Sequence, residues 1–188
     1  LQPLSHLDLV VYNNPKTSIN YLKEIAPHVE SCRPPEPEAD AVRYALRFFM
    51  TELLYKTLRE EEPMPELFDY VVESCRFDQG ELSHQPIRFL LTVSRHLGIL
   101  PLDNYSSREP LFNLTDGRFC FSGGSTLSPE LSLLLHHYLQ AVNDQQPTPI
   151  ATLKQRTDLI NYLLEYFQLH LTEFRNFKSH EILHSVLQ

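Results

Sequence analysis

The spacing of hydrophobic residues changes along this chain, from alternation before a proline-rich stretch to helical periodicity after it. Leu7, Leu9 and Val11 alternate with their neighbours, and a second extended pattern covers residues 19–25. Both patterns are typical of strands. Three prolines fall between positions 34 and 37, and such clusters mark loops. We therefore predict a β-hairpin over residues 1–30, a linker over 31–37 and a helical domain over 38–188.

Most of the chain after the prolines has the periodicity of amphipathic helices. In the segment 41–59, Val42, Leu46, Phe49 and Leu53 recur every three or four residues, which places them on one helical face. The predicted helices cover residues 41–59, 66–77, 85–97, 128–142 and 152–171, a last short helix starts at residue 179, and a short hairpin covers 111–121. The predicted fold class is mainly α, a helical bundle domain with a small N-terminal β appendage.

The cysteines and histidines offer one motif that resembles a metal site. Cys32, Cys75 and Cys120 are far apart, so they form no zinc-binding pair. His180, Glu181 and His184 have the H-E-x-x-H spacing of zinc hydrolases. Only four residues follow His184, which leaves no room for a downstream third ligand. We predict that Ile182, Leu183 and Val186 dock this helix, and we predict no metal, no cofactor and no catalytic residue. A zinc hydrolase is the weaker alternative.

Charge is distributed unevenly along the chain. The net charge is −8, with 8 Lys and Arg against 15 Asp and Glu in residues 1–82, and 8 against 9 in residues 83–188. Such a balance argues against a strongly basic nucleic-acid surface. An anion-binding surface is expected in the second half, where the arginines meet fewer carboxylates.

An aromatic run in the first predicted helix allows two interpretations. Tyr44, Phe48 and Phe49 could stack on bases. In an amphipathic helix with acidic surroundings, we expect them to belong to the core instead.

Several segments resemble the bacterial RecO family of recombination mediators, in the form found in Bacteroides-like bacteria. The most specific are residues 49–63 (FMTELLYKTLREEEP), 88–91 (RFLL) and 95–98 (RHLG), and residues 111–119 and 178–187 add to them. Residues 1–26 resemble the last two strands of the family's N-terminal OB barrel. The resemblance covers nearly the whole chain.

The resemblance implies a cytoplasmic DNA-repair protein that is not an enzyme and does not enter membranes. Its partners would be single-strand-binding protein, RecR and single-stranded DNA, and its work would be strand annealing and recombinase loading. The family binds DNA largely through the barrel, most of which lies outside this chain. Some relatives carry a four-cysteine zinc finger at 105–125, where this chain has only Cys120, so zinc is not expected. A generic helical interaction module without a nucleic-acid role remains the main alternative.

The same resemblance suggests a binding site for the C-terminal tail of single-strand-binding protein. That tail is acidic and ends in apolar residues with a free carboxylate, so its receptor needs an apolar slot beside an arginine. Arg88 and Arg95 are seven residues apart, on nearly one helical face, with Leu91 between them. We therefore predict tail binding by Arg88, Leu91 and Arg95. Alternatively, the arginines pair with Glu81 or Asp103.

Other cations in the second half are less promising by spacing. Lys154 and Arg156 are close in sequence, but they diverge by about 200° on a helix. They are not expected to form one site.

Overall fold

A computed structural model describes residues 3–12, 20–28, 40–58, 63–76, 82–144 and 146–186. The chain divides into two compact units, Leu1–Asp40 and Ala41–Gln188. The predicted linker at 31–37 lies outside the described residues. Within the described residues, no helix is both long enough and apolar enough to cross a bilayer.

The first unit contains an antiparallel hairpin. Strand β1 (Leu7–Tyr12) pairs with β2 (Tyr21–Pro27), from Leu7 opposite Pro27 to Tyr12 opposite Tyr21, with an irregularity after Val10. At the open end, the His28 ring stacks on His6 with 4.2 Å between ring centroids. These bounds confirm the two predicted strands.

The described residues of the second unit form six helices and a small sheet, which confirms the mainly α fold class. The helices are α1 (Asp40–Thr57), α2 (Pro65–Ser74), α3 (Gln85–His96), α4 (Pro129–Asn143), α5 (Leu153–His170) and α6 (Ser179–Val186). Their starts follow local signals. Ser128 Oγ accepts a hydrogen bond from Leu131 N at 3.3 Å, and Thr152 and Gln155 form a reciprocal capping box.

Helix α3 lies inside the second unit, where it packs against α2, α4 and α5. Its buried residues include Ile87, Phe89, Leu90, Leu91 and Val93, none of which is exposed. A fully buried apolar side chain of this size stabilises a fold by about 1.5–3 kcal/mol. The rest of the core comes from the facing sides of the other elements, with the largest fully buried side chains being Tyr138, Phe49, Phe112, Phe119, Phe167 and Phe174.

The carboxylate of Glu52 on α1 caps the start of α6, although the two lie far apart in the sequence. Glu52 accepts hydrogen bonds from Ser179 N at 2.7 Å and from Lys178 N at 3.1 Å. Burial raises the pKa of Glu52, but the hydrogen bonds from Ser179 and Lys178 and the charge of Lys56 outweigh it and lower that pKa. The anion also matches the positive N-terminal end of the helix. The C-terminal helix is therefore attached to the core.

A tight turn joins the two short strands of the second unit. Strand β3 (Leu111–Asn113) pairs with β4 (Arg118–Cys120), and Gly117 in the turn has φ +66°. A Cβ added at Gly117 would lie 2.9 Å from the hydroxyl oxygen of Tyr166. That hydroxyl donates a hydrogen bond to Ile99 O at 2.8 Å, so moving it aside would break the bond. The turn thus requires glycine for two reasons.

We expect Gly117→Ala to lower the free energy of unfolding by roughly 1–3 kcal/mol, because a left-handed conformation and a close contact add together. Gly124→Ala is the matched control, since Gly124 has no positive φ and open space at its Cβ position. Urea unfolding followed by circular dichroism measures both. Equal stability of the two variants would contradict this account of the turn.

Candidate functional site

The three residues predicted to bind the partner tail all lie on α3, but the structure places them in different environments. Arg88 is half-buried and Arg95 is exposed, whereas Leu91 is fully buried. The spacing of Arg88 and Arg95 is helical as predicted. Leu91 was expected at the surface, between the two arginines. It lies in the core instead, because α2, α4 and α5 pack against α3. It therefore offers no apolar slot at the surface.

Arg95 is hydrogen-bonded to the end of α4. Its Nη2 donates to Val142 O at 3.1 Å and to the side-chain oxygen of Asn143. A cation at the C-terminal end of a helix is stabilised by the helix dipole. Asp103, one of the expected alternative partners, instead lies with its Oδ1 2.6 Å from Nδ1 of His136. The other, Glu81, lies outside the described residues.

A second group of polar side chains acts on Tyr138, near the start of α3, through a hydrogen bond or through charge. The hydroxyl of Tyr138 lies 2.6 Å from His84 Nδ1. Burial raises the pKa of Tyr138 to about 12, while the positive charges of Arg156 and Arg88 act in the opposite direction. Burial also lowers the pKa of His84, and Arg156 lowers it further. The charges of Arg88 on α3 and Arg156 on α5 thus both act on the pKa of one buried phenol.

Arg156 is the member of this group that spacing alone did not select. It follows Leu153 by three residues and precedes Ile160 by four, so it continues the apolar face of α5. Its Nη1 donates to Ala151 O. Its Nε is buried and has no hydrogen-bond partner among the described residues. A cation on an otherwise apolar helical face was the sequence signal that could have identified it.

Comparison with known proteins identifies the family. The family model described as "Recombination protein O C terminal" matches residues 38–180. The chain belongs to the RecO family. Relatives named "DNA repair protein RecO" are found in Christiangramia forsetii, 28% identical over 98% of this chain and 77% of the relative, and in Azobacteroides pseudotrichonymphae, 28% identical over 98% and 78%. A third, from Porphyromonas gingivalis, is 25% identical over 97% and 77%. No solved structure matches the chain.

The H-E-x-x-H motif of this RecO protein lies on α6. The rings of His180 and His184 are perpendicular, with centroids 5.7 Å apart, and Glu181 is exposed. Within the described part of the chain, no three His, Cys, Asp or Glu side chains come together in a way that could hold a metal ion. The predicted docking contacts are correct for Leu183, which is fully buried, and wrong for Ile182, which is 53% exposed. The start of α6 is also held by the hydrogen bonds that Glu52 accepts from Ser179 N and Lys178 N.

The aromatic run on α1 divides between core and surface. Phe49 is fully buried, Tyr44 is half-buried, and Phe48 is 48% exposed. The expectation that all three belong to the core is therefore wrong for Phe48. Phe48 and Phe49 point about 100° apart on the helix, and the buried side of α1 includes Phe49 and Met50 but not Phe48.

Two histidines that are partly buried should make the stability of this RecO protein depend on pH. Burial and the neighbouring His180 lower the pKa of His184. Burial and the charge of Arg156 lower the pKa of His84. The unfolded chain takes up protons on these histidines at a higher pH than the folded chain does. The stabilisation that comes from keeping them neutral is therefore complete above the ordinary histidine pKa of about 6.5. This stabilisation is lost as the pH falls towards the lowered pKa values of the folded protein.

We expect the free energy of unfolding in urea to decrease between pH 7.5 and 5.5, a window above the titration of ordinary carboxyl groups. His184→Gln should make this decrease smaller, because one of the two groups is removed. His137→Gln, at an exposed position on α4, is the control and should follow the wild type. A wild-type stability that stays constant or rises between these pH values would contradict the prediction.

Proposed function

We propose that this protein is a recombination mediator in DNA repair. It binds the C-terminal tail of single-strand-binding protein, the partner protein RecR and single-stranded DNA, and thereby assists strand annealing and recombinase loading. The observation that carries the proposal is family membership, since the RecO family model covers residues 38–180 and the relatives are named for DNA repair. The protein acts in the cytoplasm, through binding and without a catalytic centre of its own.

A binding role is supported by the way polar side chains are used around α3. His136 contacts Asp103, His84 contacts Tyr138, and Arg95 contacts the end of α4. Each contact joins two elements of the helical unit that are far apart in sequence. Such contacts keep the surface of the unit in a defined shape, which a partner-binding surface requires.

The tail-binding part of the proposal uses the basic edge of α3. Arg88 and Arg95 border this edge, and Leu91 supports it from the core. Both hydrogen bonds that Arg95 makes to α4 come from Nη2. A guanidinium group has five N–H donors, so Arg95 can hold α4 and a carboxylate together.

We expect Arg88→Ala and Arg95→Ala each to weaken binding of a tail peptide by about 10- to 150-fold, the value of one charge-assisted hydrogen bond. Fluorescence anisotropy with a labelled peptide measures the affinity, and rising salt should weaken wild-type binding. Arg108→Ala, at an exposed position in a loop, is the control. If both α3 variants remain folded and keep wild-type affinity, the tail binds elsewhere.

Purified partners test the proposed function as a whole. The protein should bind intact single-strand-binding protein and RecR, and it should lose the former when the C-terminal tail is deleted. Calorimetric titration of each partner measures this binding directly. If the protein binds neither single-strand-binding protein nor RecR, the proposed function is wrong and a generic helical interaction module is favoured.

A further inference from the structure

Buried polar atoms without a hydrogen-bond partner concentrate on α6. Among the described residues, such side-chain atoms are Arg43 Nε, Arg156 Nε, Ser179 Oγ, His180 Nδ1 and His184 Nε2. Three of the five belong to α6, a helix of eight residues. Buried polar groups are normally hydrogen-bonded, so a group of exceptions in one short helix requires a physical explanation.

Two of these atoms are ring nitrogens on side chains one helical turn apart. Side chains four residues apart are neighbours on a helix surface, and the rings of His180 and His184 are perpendicular with centroids 5.7 Å apart. When two imidazoles bind one ion in tetrahedral geometry through bonds of about 2.0–2.1 Å, their centroids lie roughly 5 Å apart. The observed spacing is close to that value. A single metal ion therefore fits between the two rings after a small side-chain rotation.

Water would complete the coordination shell of such an ion. Glu181 directly follows His180, so it points about 100° away around the helix, and it is exposed. No third His, Cys, Asp or Glu of the described residues completes a metal-binding group. His180 and His184 are themselves only half-buried, which leaves an ion and its waters a route to the rings. The pair is therefore suited to an open site, unlike the closed site of a structural zinc.

The ligand type selects the class of ion. Imidazole nitrogen suits Zn²⁺, Cu²⁺ and Ni²⁺, whereas Mg²⁺ and Ca²⁺ take oxygen ligands. An imidazole binds a metal in its neutral form, which predominates above the ordinary histidine pKa of about 6.5. Burial and His180 lower the pKa of His184 further, so this ring is available to a metal at neutral pH.

We propose that His180 and His184 form a two-histidine site on α6 for a transition-metal ion of the Ni²⁺, Cu²⁺ or Zn²⁺ class. A bound ion accepts one lone pair from each ring and so satisfies the nitrogens that the fold leaves without a partner. It also joins two successive turns of the helix, whose start is already held by Glu52. The inference is independent of the proposed function and includes no hydrolytic step.

The test is a calorimetric titration of the whole protein, free of any histidine tag, with NiCl₂ at about pH 7.5, where imidazoles are neutral. The wild type should bind Ni²⁺ in a step of one ion per chain, and MgCl₂ should give no such step. His180→Gln and His184→Gln should each abolish it. His28→Gln in the hairpin and His137→Gln on α4 remove imidazoles elsewhere and should leave it unchanged.

An exchange variant tests the spacing of the two rings. His184→Ser combined with Ser185→His keeps the number of histidines but turns one imidazole about 100° further around the helix. Ser185 is exposed, so the new side chain has room. This variant should also lose the Ni²⁺ step. Thermal melting shows that each variant is folded, and Ni²⁺ should raise the melting temperature of the wild type but not of the exchange variant.

Nuclear magnetic resonance of the wild type gives an answer that needs no variant. Substoichiometric Cu²⁺ is paramagnetic and should broaden the signals of α6 before those of the other elements that contain histidine. Broadening that begins elsewhere would overturn the inference. So would a wild type that binds no Ni²⁺, or a Ni²⁺ step that survives in His180→Gln, in His184→Gln or in the exchange variant.

Discussion

The packing of α3 against three other helices is the arrangement on which the helical unit depends. Ile87, Phe89 and Leu90 are completely removed from solvent, and each contributes about 1.5–3 kcal/mol through burial. Because α3 is central, α4 and α5 must present apolar faces to it. Their cap residues, Ser128 and Thr152, start each helix at a defined point. Local capping and central packing therefore support the same architecture.

The central position of α3 also determines what its polar side chains can do. A polar group near a crowded helix must find a partner, because leaving it buried and unsatisfied costs free energy. Arg95 finds the end of α4, and His84 finds Tyr138. The charge of Arg156 on α5 acts on the pKa of both Tyr138 and His84, and its Nε is a buried donor without an acceptor among the described residues. Arg95 and His84 thus stabilise the fold through their hydrogen bonds, whereas this donor of Arg156 does not.

Much of the fold could be predicted from local patterns, and the candidate site could be predicted only in part. Helix starts such as the one at Ser128 depend on a few adjacent residues, so sequence identifies them well. Periodicity also selected α3 and its two arginines. Periodicity did not show which of Phe48 and Phe49, or of Ile182 and Leu183, is buried. Adjacent apolar residues are equally hydrophobic, and only the packing of other elements decides which one is covered.

The sequence by itself determined the type and order of the elements, the family, and the absence of a paired-cysteine metal motif. Each of these depends on residue identity and short-range spacing. Only the tertiary structure decided that Leu91 is core, that Arg95 binds the end of α4, and that the charges of Arg156 and Arg88 both act on the pKa of Tyr138. The physical reason is that burial and ion placement depend on how many helices surround a side chain. Spacing along a single helix does not contain that information.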